Sequence, residues 1–434
     1  MPLAICYLCC IINFLKKNYF RFEQLNFLFN PMIKLIPFIF LLLISCSINK
    51  ADKLLKQADS KDSLGDYLGA IKIYNELIQL KPEYSIALCR RGISKSSLKD
   101  YKGAIEDYNK SIFYNPKFEL AYVNRAISKF KLSDYEGSFQ DFNKAIELKP
   151  NYVEALKMRG LMNANLANFN EAIEDFDKSI NLDSANADLY YHRAISKSEL
   201  NEFENSILDF NKSIELNPKF SQAYHCRGWA RYNIEDYQEA IEDFSRSIEL
   251  NPENAESYYL RSYCKYYLRN VEEAIPDLKI AIKIDPKYAD AFYFLGTIKN
   301  DLGNFKEAII DLSTAISFNP QNAEAYNLRA IAHQKLENYS EALVSFDKAI
   351  ELKTTDEEAY YNRGLCKLKL NDFKGALVDF TVCLEIDEES GDSYYFRGIC
   401  KSKLGDNNGA CLDLKMAREL GNFKAIDAIK KSCK

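Results

Sequence analysis

Residues 221–254 read SQAYHCRGWARYNIEDYQEAIEDFSRSIELNPEN. This stretch decides the fold because its punctuation recurs. Pro252 belongs to a set of prolines in a 34-residue frame: Pro82, Pro116, Pro150, Pro218, Pro252, Pro286 and Pro320. The frame continues in phase through Ser184, Thr354 and Glu388, and eleven units fit from Ala51 to Lys424 without insertion or deletion. A fixed period of this length means one supersecondary unit copied in tandem, each copy burying its apolar face on its neighbours.

Within the quoted unit the apolar spacing is helical. Ala223, Tyr224, Gly228 and Arg231 share one face, a polar stretch from Asn233 to Tyr237 intervenes, and Ala240, Ile241, Phe244, Ile248 and Leu250 resume the period. With each unit numbered 1 to 34 from Ala51, helix A covers about positions 2–14 and helix B about positions 18–30. Proline at position 32 stops helix B. Position 8 is always Gly, Ala or Ser, position 20 is Ala or Ser, and position 24 is Tyr, Phe or Leu. Small residues let helix backbones approach, and large ones opposite fill the remaining space. Pro276 is out of phase and is expected near the first turn of a helix B, where proline costs little.

The pattern resembles the tetratricopeptide repeat in the aromatic at position 4 (Tyr122, Tyr190, Tyr224, Tyr258), the small residue at 8, the aromatic at 17, Ala at 20, Phe or Tyr at 24, and Pro at 32. The resemblance covers nearly all of the chain after residue 50. It implies an all-α, right-handed superhelical solenoid of eleven helix-turn-helix repeats, residues 51–424, with residues 425–434 as a C-terminal cap. It also implies that helix A lines a concave groove that holds a peptide or extended protein segment. The chain departs from the common pattern at position 7, where Arg91, Arg125, Arg159, Arg193, Arg227 and Arg261 stand, and at position 23, where Asp107, Asp141, Asp175, Asp209, Asp243 and Asp277 stand. Antiparallel helices set these positions at similar heights, so they read as a structural ion-pair ladder. The pattern fails in unit 1, at Gln57 and Ile73, and singly at Leu295 and Ser345, whose adjacent units hint at pairs that span neighbouring units.

The front end has a different character. Residues 32–45 form a signal-like run, one Lys followed by an apolar stretch, and Leu35 to Ile44 is too short to span a bilayer. Leu43-Ile44-Ser45-Cys46 resembles the lipobox of bacterial lipoproteins. The resemblance implies cleavage before Cys46 and acylation of that residue, with several acyl chains giving stable anchoring. Residues 47–50 would be a short tether; residues 1–31 read either as a start site called too early, with Met32 as initiator, or as a second apolar segment, Leu3 to Leu15, that touches membrane and is too short to span it.

The chain carries 57 Lys+Arg and 62 Asp+Glu, and the part after Cys46 is more acidic still, which opposes a nucleic-acid partner. Outside residues 1–31 no Cys-x-x-Cys pair is present, and the three histidines lack a third partner at ligand spacing, so no metal or cofactor is expected. Cys264, Cys366 and Cys400 share position 10 as small packing residues. Free thiols of this kind count against export. No nucleophile motif or phosphate loop appears, and no enzymatic activity is expected. Acids at position 2, such as Glu256 and Asp290, read as an offset to the helix macrodipole, with an acidic lip of the groove that selects basic partners as the other reading.

On the groove positions that the resemblance implies, repeats 5 to 8 concentrate Tyr191, Trp229, Tyr232, Tyr259, Tyr263, Tyr266, Tyr267, Tyr293 and Phe294. Two readings stand side by side: anchors for a partner segment, or packing between repeats, because position 9 is partly covered by the next helix. The expected function is a non-enzymatic protein-interaction scaffold, lipid-anchored on the periplasmic or surface side of a bacterial envelope. The alternatives are a cytoplasmic adaptor with a spurious leader and a substrate-positioning subunit of an enzyme complex. Mass spectrometry of the native N-terminus is expected to find an acylated Cys46 and nothing from residues 1–45; an intact Met1 or Met32 terminus on soluble protein overturns the anchor.

Overall fold

The computed structural model describes residues 50–433, and every regular element among them is a helix. The leader, Cys46 and the tether up to residue 49 lie outside the described residues. Two compact units adjoin in sequence at Ser184 and Ala185. The first holds repeats 1–4, from a helix over 50–63 to Phe169–Leu182. The second holds repeats 5–11, from Ala187–Glu199 to Asn407–Glu419, and closes with the short helix Ala425–Ser432. Both helices start earlier than the sequence suggests. Helix A occupies positions 1–13, as in Ser221–Asn233, and helix B positions 17–30, as in Tyr237–Leu250.

Helix A ends the same way in every repeat. The residue at position 15 takes a left-handed conformation, φ 62° at Glu235 and 75° at Gly303. The next N–H then returns to the carbonyl of position 11, as from Asp236 to Arg231 at 2.9 Å. This six-to-one bond satisfies a carbonyl that the helix end would leave open. Helix B starts on position 16. Where Asp66, Asp100, Asp134, Asp372 or Asp406 stands there, its carboxylate accepts from the N–H three residues on, and that residue is Gly each time. A Cβ on Gly103 or Gly375 would lie 2.3 or 2.1 Å from the capping carboxylate, so this form of cap selects glycine. Pro276 departs from expectation. It sits inside the helix Val271–Ile284, past the first turn, on an exposed face where the carbonyl it frees can meet water.

The core forms between helices A and B of each repeat. A Cβ on Gly92 would lie 2.6 Å from the Tyr108 ring, and one on Gly296 would lie 2.6 Å from Leu312. Position 8 thus meets position 24 across the hairpin, and Tyr108, Phe142, Phe176, Phe210, Phe244, Phe346 and Phe380 are fully buried. Helix B also packs on helix A of the next repeat within each unit, and successive A helices approach one another, which makes A the more closely spaced layer. At the C-terminus Ala428 and Ile429 cover Leu414 and Ala417, and a disulfide joins Cys411 to Cys433 with Cα atoms 5.4 Å apart.

The ladder is built within repeats. Arg91 donates from Nε and Nη2 to both oxygens of Asp107 at 2.8 and 2.5 Å, and Arg261 does the same to Asp277 at 2.9 and 2.6 Å. Arg125–Asp141, Arg159–Asp175, Arg193–Asp209 and Arg227–Asp243 repeat the geometry. The hint of carboxylate pairs across units is therefore corrected: both partners belong to one hairpin. What spans repeats is the third nitrogen. Nη1 donates to position 25 of the preceding helix B, as from Arg91 to Asn75 at 2.7 Å and from Arg261 to Ser245 at 2.9 Å. A second cation at position 11 also holds the aspartate, as Lys95 does on Asp107 and Arg231 on Asp243, each at 2.8 Å. Repeat 4 lacks it, because position 11 there is Asn163.

That difference sets a graded expectation. Arg159→Ala leaves Asp175, only 2 % exposed, without a cation, and is expected to cost about 3–5 kcal/mol. Arg227→Ala leaves Arg231 on Asp243 and is expected to cost less, about 1.5–3 kcal/mol. Urea unfolding followed by circular dichroism checks the order; equal losses overturn it.

Candidate functional site

The aromatic surface is carried by three successive A helices, Ser221–Asn233, Ala255–Tyr267 and Ala289–Asp301. Each presents positions 5, 9, 12 or 13 on the same side, and the rings interlock. Tyr232 meets Tyr263 edge to face at 5.7 Å between centroids. Tyr263 stacks on Phe294 of the next repeat at 4.5 Å and touches Tyr267 at 5.1 Å. Tyr266 meets Phe294 at 5.3 Å, and Tyr259 packs on Tyr288 at 5.2 Å. Such tilted and edge contacts suit the ring quadrupoles.

The nine candidates separate by role. Tyr232, Tyr259, Tyr263, Tyr266 and Tyr267 form the continuous surface. Phe294, 4 % exposed, is its floor and part of the core, so it is corrected from contact residue to support. Trp229 is partly buried beside Phe203 of the preceding repeat at 5.6 Å. Tyr191 stands apart, packed on Phe220 at 4.7 Å with its hydroxyl 3.8 Å from the Cys226 sulfur. Tyr293 packs beside Ala308 and Leu312. Tyr237 and Tyr288 belong to the surface as well. Tyr237 stacks on Tyr267 at 5.2 Å; its place at position 17, a packing position of the repeat, concealed it. Tyr267 is the open end of the surface, 48 % exposed.

The surface is neutral with acidic neighbours. Tyr266 donates to Asp301 at 2.5 Å, and that bond together with burial pushes its phenol up to about 12. Burial raises Tyr232, Tyr259 and Tyr263 as well. These phenols therefore stay protonated through the physiological range and can donate. His225 lies alongside, its Nδ1 2.8 Å from Ser257 Oγ and its Nε2 3.5 Å from Glu256. Cys264 is buried beneath, its thiol pushed up to about 12 by burial, which makes it a packing group and not a nucleophile. No cluster able to hold a metal ion is present among the described residues. The arrangement can bind through apolar area and phenol hydrogen bonds.

Several tetratricopeptide-repeat models match the chain. They cover residues 54–83, then 120–152, 153–186, 187–220 and 255–288, then 221–254, and then 296–337, 323–356 and 357–390. No curated protein matches it. Among solved structures, the C-terminal part of a TPR repeat-containing protein from Cytophaga hutchinsonii is 19% identical over 55% of this chain and 97% of its own, with a TM-score of 0.47. YrrB, a TPR protein described as having an unusual peptide-binding site, is 25% identical over 42% of this chain and 95% of its own, with a TM-score of 0.39. Yeast Tom70 is 17% identical over 88% and 95%, with a TM-score of 0.38.

The ring contacts distinguish surface from support. Tyr267→Ala is expected to move stability by no more than about 0.5 kcal/mol. Tyr263→Ala removes a ring stacked on the core and is expected to cost about 3 kcal/mol. Tyr259→Ala is not silent either, because its ring packs against the core. Chemical denaturation of the three variants checks the ranking, and a Tyr267 variant as unstable as the Tyr263 variant would mean that the whole cluster is packing.

Proposed function

The chain belongs to the tetratricopeptide-repeat family, and from that premise we propose that it is a non-enzymatic scaffold which holds an extended protein segment along the Tyr232–Tyr267 surface, on the outside of a bacterial membrane to which Cys46 anchors it. The observation that carries the binding site is the unbroken row of partly exposed tyrosines over repeats 6 and 7, with Tyr237 and Tyr267 stacked at its open end. Tyrosine supplies contact area with few rotatable bonds and a polar tip, and a single such anchor can carry 2 kcal/mol or more. Acidic neighbours such as Asp301 and Glu256 favour a segment with basic or amide side chains beside its apolar ones.

Two features support the exported location. Cys411 and Cys433 are joined, and disulfides persist in oxidising compartments. The unpaired thiols of Cys89, Cys264, Cys366, Cys383 and Cys400 are buried, Cys226 is partly buried, and burial raises each of their pKa values. Packed, protonated thiols resist oxidation, so they do not oppose export as the sequence suggested.

A photo-crosslinking amino acid at position 267, compared with one at the exposed Glu174 on a helix B, tests the binding site in cells. The expected result is a protein adduct from position 267 that Glu174 does not give. Purified adduct should also shift the emission of Trp229, the single tryptophan of the chain. Equal adducts from both positions, or none from 267, overturn the assignment.

A further inference from the structure

Repeat 9 departs from the ionic pattern and leaves a cation without a counter-charge. In repeats 10 and 11, Arg363 and Arg397 donate from Nε and Nη2 to both oxygens of Asp379 and Asp413 at 2.6–3.1 Å. In repeat 9 the residue at position 23 is Ser345. Arg329 Nε reaches Ser345 Oγ at 3.2 Å, and Nη1 reaches Ser313 Oγ of the preceding helix B at 3.3 Å. Both contacts are long and both acceptors are neutral. Nη2, which elsewhere takes the second carboxylate oxygen, has no hydrogen-bond partner among the described residues.

The surroundings do not supply the missing charge. Asp347, two residues beyond Ser345, is committed to Arg363 at 2.7 Å, and Asp311 of repeat 8 is held by Lys299 at 2.6 Å. Position 11, a lysine in most repeats, is His333, whose Nδ1 is buried without a hydrogen-bond partner. Desolvation lowers the pKa of Arg329 and of His333, whereas Asp379 and Asp413 help to hold Arg363 and Arg397 above the usual value. A guanidinium in a desolvated setting without a counter-ion is costly. Serine in place of aspartate removes two heavy atoms, room for one small particle and not for an organic carboxylate.

We propose that the slot bounded by Arg329, Ser345, Ser313 and His333 is a binding site for one small monovalent anion of the halide class, which takes the place of the carboxylate found in the sister repeats. The guanidinium supplies charge and two N–H donors. The serine hydroxyls turn their protons toward the ion, at a site where Ser345 is 2 % exposed and Arg329, Ser313 and His333 are partly buried. Binding to the folded state alone raises stability by mass action.

Thermal melts in sodium chloride, sodium bromide and sodium gluconate at matched ionic strength read this directly. The wild-type chain is expected to melt about 2 °C or more higher in either halide than in gluconate. Ser345→Asp installs the sister-repeat carboxylate; it is expected to lose the halide dependence and to melt in gluconate at least as high as wild type does in chloride. Crystals grown in bromide should show an anomalous peak beside Arg329. Identical wild-type melts in the three salts point to a water in the slot and overturn the proposal. So does a halide effect that persists in Ser345→Asp, or bromide absent from Arg329.

Discussion

The structure depends on an offset of sixteen residues across each hairpin. Position 8 must be small because position 24 buries a large ring or a leucine against it, with a Cβ on Gly228 or Gly364 already 3.0 or 2.9 Å from the facing phenylalanine. That approach fixes the height of helix A against helix B. Once 8 faces 24, position 7 is level with 23, and the arginine meets the aspartate in a planar two-bond grip. The ionic ladder follows from the apolar contact, because charged side chains of this length could not select one register unaided. Its bidentate geometry then penalises slippage by a residue, since a shifted carboxylate would be buried and half satisfied.

The guanidinium also explains how the repeats add up. Its third nitrogen reaches position 25 of the preceding helix B, Asn75 for Arg91 and Asn109 for Arg125, at 2.7 and 2.6 Å. One side chain therefore ties three helices. The tyrosine three residues earlier lies under the same cation, at 5.4 Å from Arg125 to Tyr122 and 5.5 Å from Arg227 to Tyr224. A buried charge is weak evidence for stability taken alone. Here each guanidinium nitrogen of Arg91, Arg125, Arg227 and Arg261 has an acceptor, and that favours a unique stacking order over a looser collapse of similar helices.

The period, the hairpin and the register were legible in the sequence because each rests on residues repeated at one spacing. The second cation was equally legible, since Lys95, Lys129, Lys197 and Lys265 share position 11, but its meaning emerges only when helix A is seen to carry both charges on one side, one turn apart. Features that occur once were not legible. Pro276 reads as harmless near a helix start, whereas it lies inside Val271–Ile284, past the first turn. The Cys411–Cys433 bond joins the last repeat to a helix outside the period, so no spacing announced it. The aromatic surface was legible in place but not in depth: Phe294 and Tyr267 are both groove residues by position, and only the rings packed around them separate 4 % exposure from 48 %.

A periodic scaffold makes its own exceptions informative. Most A helices carry one or two aromatics beyond the repeat positions, but Ala255–Tyr267 carries Tyr259, Tyr263, Tyr266 and Tyr267 together. Packing alone does not require this, because Cys400 and Phe396 fill the equivalent core of repeat 11 with Tyr395 as the one additional ring of its helix. Repeat 9 is an exception of the other kind, where the ladder loses its carboxylate and its lysine together while Arg329 stays. In each case the neighbouring repeats serve as the internal control, since they show what the same backbone does with the ordinary residues.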